Sequence, residues 1–291
     1  MKQRVISGTV IAAVIVGFGL IGGIPLAALM MVLSMIGFKE LGLAAGFWDS
    51  TDNKLWGNLL SGIGLLFTAV YYIGLVALQS RWGTQPDQMV FKSDFFTMIV
   101  VVITFLAMMT VYVLTFPKFR SEQVMACFFS FFYAPVLLSF VYRARMLPYG
   151  IYMYALIFVC SSICDTCALA AGVMFGKHKM APVLSPKKTI EGAVGGVIGT
   201  AVFSLLLSFL LGVRNPEANF RIQFVIIGIC GSFVGMIGDL AASAIKRNHG
   251  VKDYGSLIPG HGGIMDRVDS ILFTAPLIYI LGVFLLGTAG L

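Results

Sequence analysis

Charged residues are scarce in this sequence. They make up 11% of the 291 residues, against about 25% in an average soluble protein. A chain with so little charge and 58% hydrophobic residues is neither a disordered protein nor an ordinary cytosolic enzyme. Its mean hydropathy of +0.93 indicates an integral membrane protein that crosses the bilayer several times.

Cysteine is also too sparse to form a framework. The five cysteines all lie in apolar runs: Cys127, Cys160, Cys164, Cys167 and Cys230. Cys164 and Cys167 form a C-x-x-C, but no second pair completes a zinc site. This pattern excludes a secreted disulfide scaffold, and we expect the cysteines to be small, buried, apolar residues.

Long apolar runs dominate the rest of the chain. A helix needs about 20 apolar residues to cross a bilayer, and nine runs approach that length. They are 5–22, 24–45, 55–78, 95–116, 124–142, 150–175, 190–212, 222–246 and 269–289. The sequence therefore predicts an all-α, polytopic integral membrane protein with about nine transmembrane helices, forming one membrane domain over 1–291.

Two of the nine runs are less regular than the others. The first follows Lys2 and Arg4, but no small-residue cleavage site comes after it, so we expect an uncleaved span. Lys39 and Glu40 interrupt the second run. That span either ends early or lies partly buried against its neighbours.

The charge that is present is mostly positive, with 20 Lys and Arg against 13 Asp and Glu. A net charge of +7 suits anionic lipid or phosphate partners, although positive cytoplasmic loops alone would also produce it. Placing the N-terminus in the cytoplasm puts two basic segments, 176–189 and 246–268, on the cytoplasmic side. The positive-inside rule thus predicts a multi-pass cell-membrane protein whose polar site faces the cytoplasm.

Polar residues concentrate in two segments, 165–191 and 239–269. Together these segments contain all three histidines and six of the thirteen acids. The remaining loops are short, so we expect the functional residues to lie in these two segments.

Asp239 lies near the end of an otherwise apolar span, where a carboxylate is costly unless it is paired, hydrated or metal-bound. It continues a stripe of small residues at helical spacing: Gly228, Gly231, Gly235 and Gly238. Such a stripe packs against other helices, and Ser243 and Lys246 follow on the same face. Either a functional site or a structural Asp–Lys pair explains this face. For Asp165, beside Ser161, Ser162 and Thr166, structural hydrogen bonding and function are equally good interpretations.

The second segment adds Asp266 and Asp269 on either side of Arg267, and glycines around His261. A glycine-rich stretch can place successive backbone N–H groups close to an anion, although a flexible turn also explains the glycines. Mg²⁺ in phosphate chemistry usually takes one or two carboxylates, which Asp239 and Asp266 could supply. Four basic residues could neutralise a polyphosphate: Lys246, Arg247, Lys252 and Arg267. The spacing fits no common zinc pattern.

The first segment contains Ser185-Pro186 before an apolar run, which predicts a helix start with Ser185 as the N-cap. Its N–H groups, with Lys187, Lys188 and Thr189, would suit an anion. Alternatively, this is an interfacial cap with snorkelling lysines. Two small-residue pairs follow at a spacing of four, Gly192 with Gly196 and Gly195 with Gly199, and they predict close helix packing.

The spacing of these residues resembles a known signature. The 27 residues from Ser243 to Asp269 include Lys246-Arg247, Lys252-Asp253 and the run from Pro259 to Asp269, and they resemble the signature of CDP-diacylglycerol synthases, also called phosphatidate cytidylyltransferases. The run from Ser185 to Gly192, and Asp165 before Gly172 and Gly176-Lys177, look like that family too. Where the family commonly has Tyr and Arg, this chain has Leu169 and Val173.

The resemblance implies transfer of CMP from CTP to phosphatidate at the membrane, giving CDP-diacylglycerol and pyrophosphate. It implies a catalytic half at 150–291 after variable N-terminal helices at 1–145. The expected cofactor is Mg²⁺, with room for a second cation such as K⁺. CTP, phosphatidate and membrane lipid are the expected partners and nucleic acid is not; the sequence is compatible with a homodimer without requiring one.

The resemblance also implies functions for the polar residues. Asp239 and Asp266 would hold the metal. The basic group Lys246, Arg247, Lys252 and Arg267 would bind phosphates and support pyrophosphate departure. The remaining residues are expected at the substrates: Ser185, Lys187, Lys188, Thr189, Glu191, Ser243, Lys252, Asp253, His261 and Asp269, with Asp165 as a further candidate.

Two other functions fit parts of the same pattern. A membrane kinase that uses CTP to phosphorylate a lipid alcohol would need similar ligands and a base as well, but the 27-residue match argues against it. A transporter would use buried acids as an ion path, yet the inverted repeats expected of many transporters are not visible.

Overall fold

The computed structural model describes residues 2–48, 54–214, 219–258 and 262–286. These ranges contain eleven α-helices, in chain order: α1 Lys2–Ile21, α2 Gly23–Ala44, α3 Lys54–Trp82, α4 Pro86–Thr115, α5 Ser121–Phe131, α6 Leu137–Met146, α7 Gly150–Phe158, α8 Cys164–Phe175, α9 Ile190–Arg214, α10 Arg221–Asn248 and α11 Met265–Leu285. Short π-helical turns, Phe132–Val136 and Val159–Ile163, join α5 to α6 and α7 to α8. Two strands, β1 Lys179–Ala181 and β2 Ser185–Thr189, form a hairpin before α9.

The all-α membrane architecture is confirmed. Within the described ranges, eight helical segments are long and apolar enough to cross a bilayer, and α1 adds a shorter apolar stretch, Gly8–Ile21. Large apolar side chains such as Phe91, Val113 and Leu114 are exposed. A water-soluble protein rarely exposes so much contiguous apolar surface, so these side chains are suited to contact lipid.

Two helices begin several residues before their predicted starts. Helix α4 begins at Pro86 rather than at residue 95, because Pro suits the first helical position and Asp87 suits the positive end of the helix dipole. Helix α11 begins at Met265 rather than at 269, which places Asp266 in its first turn. Apolar length alone cannot detect a helical turn made of polar residues.

Helix α2 passes through Lys39 and Glu40 without a break and ends at Ala44. The second of the two predicted alternatives is therefore correct. Lys39 is exposed, whereas Glu40 is buried with only 6% of its surface accessible. A carboxylate at this depth needs partners inside the protein.

The chain divides into two compact units, residues 1–142 with 249–267 and residues 143–248 with 268–291. Inside the first unit, buried hydroxyl groups link neighbouring helices. The Ser34 and Tyr72 hydroxyl oxygens lie 2.8 Å apart, and those of Tyr71 and Ser139 lie 2.9 Å apart. Such hydrogen bonds satisfy polar groups that would be costly to bury alone.

Small residues pack the helices of the second unit, as the sequence predicts. A Cβ on Gly196 of α9 would lie 3.0 Å from the carbonyl oxygen of Cys164 on α8. On α10, a Cβ on Gly235 would lie 2.8 Å from Cγ2 of Thr274, and one on Gly238 would lie 2.9 Å from the carbonyl oxygen of Asp269. Only glycine permits such close contacts between helices. They let α9 approach α8 and α10 approach α11, and these helices carry charged side chains.

The predicted helix start at Ser185 is wrong. Ser185 opens strand β2, which pairs antiparallel with β1 through Ala181 with Ser185 and Lys179 with Thr189. Helix α9 begins five residues later, and the N–H of Gly192 donates to Oγ1 of Thr189 at 3.1 Å. Thr189 is therefore the N-cap. The Ser185 segment pairs with β1 instead of capping the helix, and capping preferences alone do not predict such a pairing.

The close packing of α8 and α9 predicts different effects for two glycines on one helix. Gly196→Leu would overfill the contact with α8 and lower the stability of the folded protein by about 1–3 kcal/mol. Gly212→Leu is the matched control, since a Cβ there meets nothing within 4 Å. Thermal unfolding in detergent, followed by size-exclusion chromatography, measures both. Equal melting temperatures for the two variants would contradict the packing described here.

Candidate active site

A cavity of about 420 Å³ opens between α8, α9, α10 and the hairpin of the second unit. Its lining includes the charged and polar residues Asp165, Lys187, Lys188, Thr189 and Asp239. The remaining lining residues are small or apolar: Ala168, Leu169, Gly172, Val173, Met180, Gly192, Ala193 and Met236. A cavity of this composition suits a ligand that carries an anionic group on an apolar body.

Lys188 and Asp239 form an ion pair across this cavity. Lys188 comes from β2 and Asp239 from the C-terminal part of α10, and about a quarter of each side chain is accessible. The sequence suggests an Asp–Lys pair within α10, and the structure pairs Asp239 with a lysine of the hairpin. Because both partners line the cavity, the pair also places a cation and an anion where a ligand can reach them.

Asp165 interacts electrostatically with both Asp239 and Lys188. The hydroxyls of Ser161 and Thr166 donate to carbonyl oxygens of the same helical segment, those of Phe158 and Ser162. The neighbouring hydroxyls are thereby engaged locally, and Asp165 belongs to the charged wall of the cavity. This arrangement favours a functional interpretation of Asp165.

Asp269 and Lys246 extend the same group of charges. Asp269 interacts electrostatically with Asp239, Asp165 and Lys246, and its Oδ1 accepts the N–H of Ser270 at 2.8 Å. The contact of Gly238 with the backbone of Asp269 explains this proximity. The second unit therefore carries three carboxylates and two ammonium groups in one cluster.

Glu191 holds the segment that leads into the hairpin. Its carboxylate accepts the N–H of Lys177 at 3.1 Å and the N–H of His178 at 3.2 Å, and Oε1 lies 2.7 Å from Nδ1 of His178. Glu191 was expected at a substrate. In the structure its oxygens bind this chain's own backbone, so it supports the wall that carries Lys187 and Lys188.

Asp266 belongs to the first unit and is buried, with 6% of its surface accessible. Its Oδ2 accepts the N–H of Tyr254 at 2.8 Å and the N–H of Gly263 at 3.0 Å. One N–H of the glycine-rich stretch, that of Gly263, thus binds an anion, and this anion is a carboxylate of the protein. Gly262 has a φ of +81°, a conformation that favours glycine.

Glu40 binds the next two N–H groups along the chain. Its Oε1 accepts from Ile264 at 3.0 Å and its Oε2 from Met265 at 2.9 Å. Sequence reasoning noticed Glu40 only as an interruption of an apolar run. The signal that could have identified it is the high cost of an acid within a membrane span.

The other candidate residues are distributed over both units. Five are exposed: Lys187, Arg247, Lys252, Asp253 and Arg267. Ser185 and Ser243 are half-buried. His261 lies outside the described residues. Asp239 and Asp266 belong to different units, so their joint function as metal ligands stays a prediction.

The donor set of the second unit suits a hard divalent cation. Among the described residues, no group of three or more His, Cys, Asp or Glu is placed to hold a metal ion by itself. Mg²⁺ does not need one, because it keeps several waters and takes one or two carboxylates with phosphate oxygens. Asp239, with Asp165 nearby, provides such carboxylates. Carboxylate oxygens such as those of this cluster suit magnesium better than zinc.

Comparison with known proteins identifies the family. A model of the cytidylyltransferase family matches residues 2–285. The chain belongs to the cytidylyltransferase family. Its curated relatives include proteins named phosphatidate cytidylyltransferase from Staphylococcus haemolyticus (31% identical), Staphylococcus aureus strain COL (30%) and Bacillus subtilis strain 168 (30%). Each match covers 97% of this chain and 97–98% of the relative. The matched region therefore includes the N-terminal helices, among them α2, which carries Glu40.

The ion pair in the cavity predicts a compensating pair of substitutions in this cytidylyltransferase-family protein. Lys188→Met leaves the Asp239 carboxylate without its ammonium partner and should lower the melting temperature. Lys188→Met with Asp239→Asn should recover most of that loss, since a coupled pair has an interaction free energy of about 0.5–3 kcal/mol. Thermal unfolding in detergent measures the cycle.

Lys187→Met is the matched control for this cycle, because Lys187 is an exposed neighbour on the same strand. We expect it to leave the melting temperature near the original value. Strict additivity of Lys188→Met and Asp239→Asn would mean that the two side chains do not interact.

Proposed function

We propose that this chain transfers CMP from CTP to phosphatidate, which yields CDP-diacylglycerol and pyrophosphate for phospholipid biosynthesis. The observation that carries the proposal is the cavity whose wall joins Lys187 and Lys188 to apolar residues such as Leu169 and Val173. A phosphate monoester on a diacylglycerol likewise combines an anionic head with an apolar body. Membership of the cytidylyltransferase family and the name of the curated relatives support the same reaction.

The chemistry requires little proton transfer. A phosphate oxygen of phosphatidate attacks the α-phosphorus of CTP, the bond from that phosphorus to the oxygen that bridges it to the β-phosphate breaks, and pyrophosphate leaves. A phosphate monoester has a second pKa of about 6, so the nucleophile is largely ionised at neutral pH. The main obstacle is repulsion between two anions, which positioned cations reduce.

The basic residues are assigned to the phosphates. Lys187 and Lys188, which line the cavity, bind the lipid phosphate or CTP, and Thr189 caps the helix beside them. Lys246 and Arg247, in the last turn of α10, bind CTP phosphates. Lys252 and Arg267 are proposed to support the departure of pyrophosphate.

The acidic residues are assigned to the metal and to orientation. Asp239 and Asp266 are the proposed Mg²⁺ ligands, with Asp165 beside Asp239. When bound, Mg²⁺ would supply positive charge to the CTP phosphate oxygens. Asp253 and Asp269 orient basic residues or a second cation such as K⁺. Ser185, Ser243 and His261 remain proposed contacts of the substrates.

The proposed setting is the cell membrane, with the site facing the cytoplasm, where CTP is available. The expected excess of Lys and Arg in the two polar segments supports this orientation. A homodimer is compatible with this setting. The proposal requires no nucleic-acid partner.

The reaction can be tested with CTP labelled separately at the α- and γ-phosphates. Purified protein in detergent, with phosphatidate and Mg²⁺, should move the α label into lipid and release the γ label in pyrophosphate. Transfer of the γ label to an added lipid alcohol would instead indicate a CTP-dependent lipid kinase. No transfer by folded protein, together with cation-dependent solute uptake in vesicles, would support the transporter.

The proposed metal ligands can be tested with charge-neutral variants. Asp239→Asn and Asp266→Asn should each reduce transfer of the α label roughly 100-fold or more, since each removes an anionic ligand of the Mg²⁺ that would neutralise the phosphates. The Asp266→Asn substitution is not expected to disrupt folding, because the new amide oxygen can still accept the N–H groups of Tyr254 and Gly263. Circular dichroism and gel filtration report on folding.

Asp87→Asn is the matched control, because Asp87 is an exposed acid in the first turn of α4. Its transfer rate should equal that of the unmodified protein. Near-normal rates for Asp239→Asn or Asp266→Asn would remove that residue from the proposed metal site.

A further inference from the structure

We propose that Glu40 is a positioning residue for CMP transfer, which fixes the peptide of residues 263–265 and through it the carboxylate of Asp266. This inference rests on the proposed function, because Asp266 is there a metal ligand. Glu40 comes from α2, within the stretch at 1–145 that was expected to lie outside the catalytic half.

Both oxygens of Glu40 bind the start of helix α11. Oε1 accepts the N–H of Ile264 and Oε2 accepts the N–H of Met265, at 3.0 and 2.9 Å. The first N–H groups of a helix have no carbonyl partner within the helix. A carboxylate that accepts two consecutive N–H groups fixes the orientation of the peptide plane as well as satisfying the donors.

The backbone around Glu40 leaves the carboxylate little freedom to move. A Cβ on Gly263 would lie 2.5 Å from each of its oxygens, and a Cβ on Gly255 would lie 2.6 Å from Oε1. Two glycines are therefore required where the chain passes the carboxylate. The residue is 6% accessible, so water does not compete for its oxygens as it would at the surface.

Asp266 holds the same peptide segment. Its Oδ2 accepts the N–H of Gly263 at 3.0 Å, directly before the two N–H groups that Glu40 accepts. Three consecutive N–H groups, those of residues 263–265, are thus divided between two buried carboxylates. Glu40 and Asp266 also interact electrostatically. If Glu40 no longer accepts its two N–H groups, the peptide can rotate and the carboxylate of Asp266 moves with it.

A cap that only stabilised the helix would not need this residue type. A Ser or Thr side chain satisfies an N–H group at a helix start without placing a carboxylate inside a membrane span, where an acid is costly. Groups that orient a ligating carboxylate commonly affect metal affinity or turnover by about 10- to 100-fold when they are replaced. The bidentate contact of Glu40 is of this kind.

The first test replaces the carboxylate. In Glu40→Gln one oxygen becomes an N–H₂ donor that faces a backbone donor, so one of the two hydrogen bonds is lost. We expect kcat for transfer of the α label to fall about 10- to 100-fold, with the KM for phosphatidate near the original value and the Mg²⁺ concentration for half-maximal rate raised. Lys39→Gln, at the exposed neighbouring position, should leave all three unchanged.

A second readout does not depend on activity. Hydrogen exchange of the peptide that contains residues 262–267, followed by mass spectrometry in detergent without Mg²⁺ or CTP, reports on the N–H groups of Ile264 and Met265. Glu40→Gln should accelerate exchange in this peptide, whereas Lys39→Gln should not. The melting temperature should fall only as far as the loss of one buried hydrogen bond requires, with the protein still folded at the assay temperature, which separates positioning from loss of the fold.

Gly263→Ala disrupts the same contact by changing the peptide instead of the carboxylate, because the added Cβ would displace the Glu40 carboxylate. We expect the same fall in kcat and rise in Mg²⁺ requirement. Gly62→Ala is the matched control, because a Cβ there meets nothing within 4 Å. The double variant Glu40→Gln with Gly263→Ala should be little worse than either single variant, because both disrupt one contact.

The outcomes separate this inference from the proposed function. If the unmodified protein moves no α label into lipid, the proposed function fails. If it does so and Glu40→Gln keeps the original kcat and Mg²⁺ requirement, the positioning function of Glu40 fails alone. A fall in kcat that appears only at temperatures where Glu40→Gln unfolds would also overturn it, as a structural cap predicts. Should Glu40→Gln not fold, Gly263→Ala decides by the same criteria.

Discussion

Each charge within a membrane-spanning helix must find a partner inside the protein, because the bilayer offers no water to solvate it. This constraint organises the polar part of the structure. Asp239 pairs with Lys188, and Asp266 and Glu40 accept backbone N–H groups. These partners lie in the hairpin, in a loop and at the start of a helix, so the acids help to hold these segments in place.

The glycines make these partnerships geometrically possible. On α10, Gly235 and Gly238 let α11 approach until backbone atoms and small side chains touch. Gly263 and Gly255 let the chain pass directly over the carboxylate of Glu40. In both places the absence of a Cβ shortens a distance across which a charge interacts, and such interactions strengthen as the distance and the local dielectric fall. Close packing and electrostatics are therefore two aspects of one arrangement.

The same arrangement suits a reaction between two anions. A substrate pair that carries several phosphate charges needs cations held in place before it binds, because reorganising them during the reaction would raise the barrier. Lys188 is held by Asp239, and the hairpin that carries it is held by Glu191 through the N–H groups of Lys177 and His178. In the structure, acids that contact the chain itself thus keep cations in the cavity wall.

The sequence by itself determined the membrane-spanning helical class, the small-residue packing of α9 and α10, and the two segments where polar residues gather. These features depend on composition and on periodicity along one helix, which are local properties. The family followed from the 27-residue spacing for the same reason, since a motif is read along the chain.

Only the tertiary structure decided which groups meet. It replaced the helix start at Ser185 by a strand, because pairing with β1 depends on residues that are not adjacent in sequence. It paired Asp239 with a lysine from the hairpin, and it joined Glu40 to residues 264 and 265, more than 220 positions later. Partners so distant in sequence leave no periodic signal, and only the packing of the helices brings them within hydrogen-bonding distance.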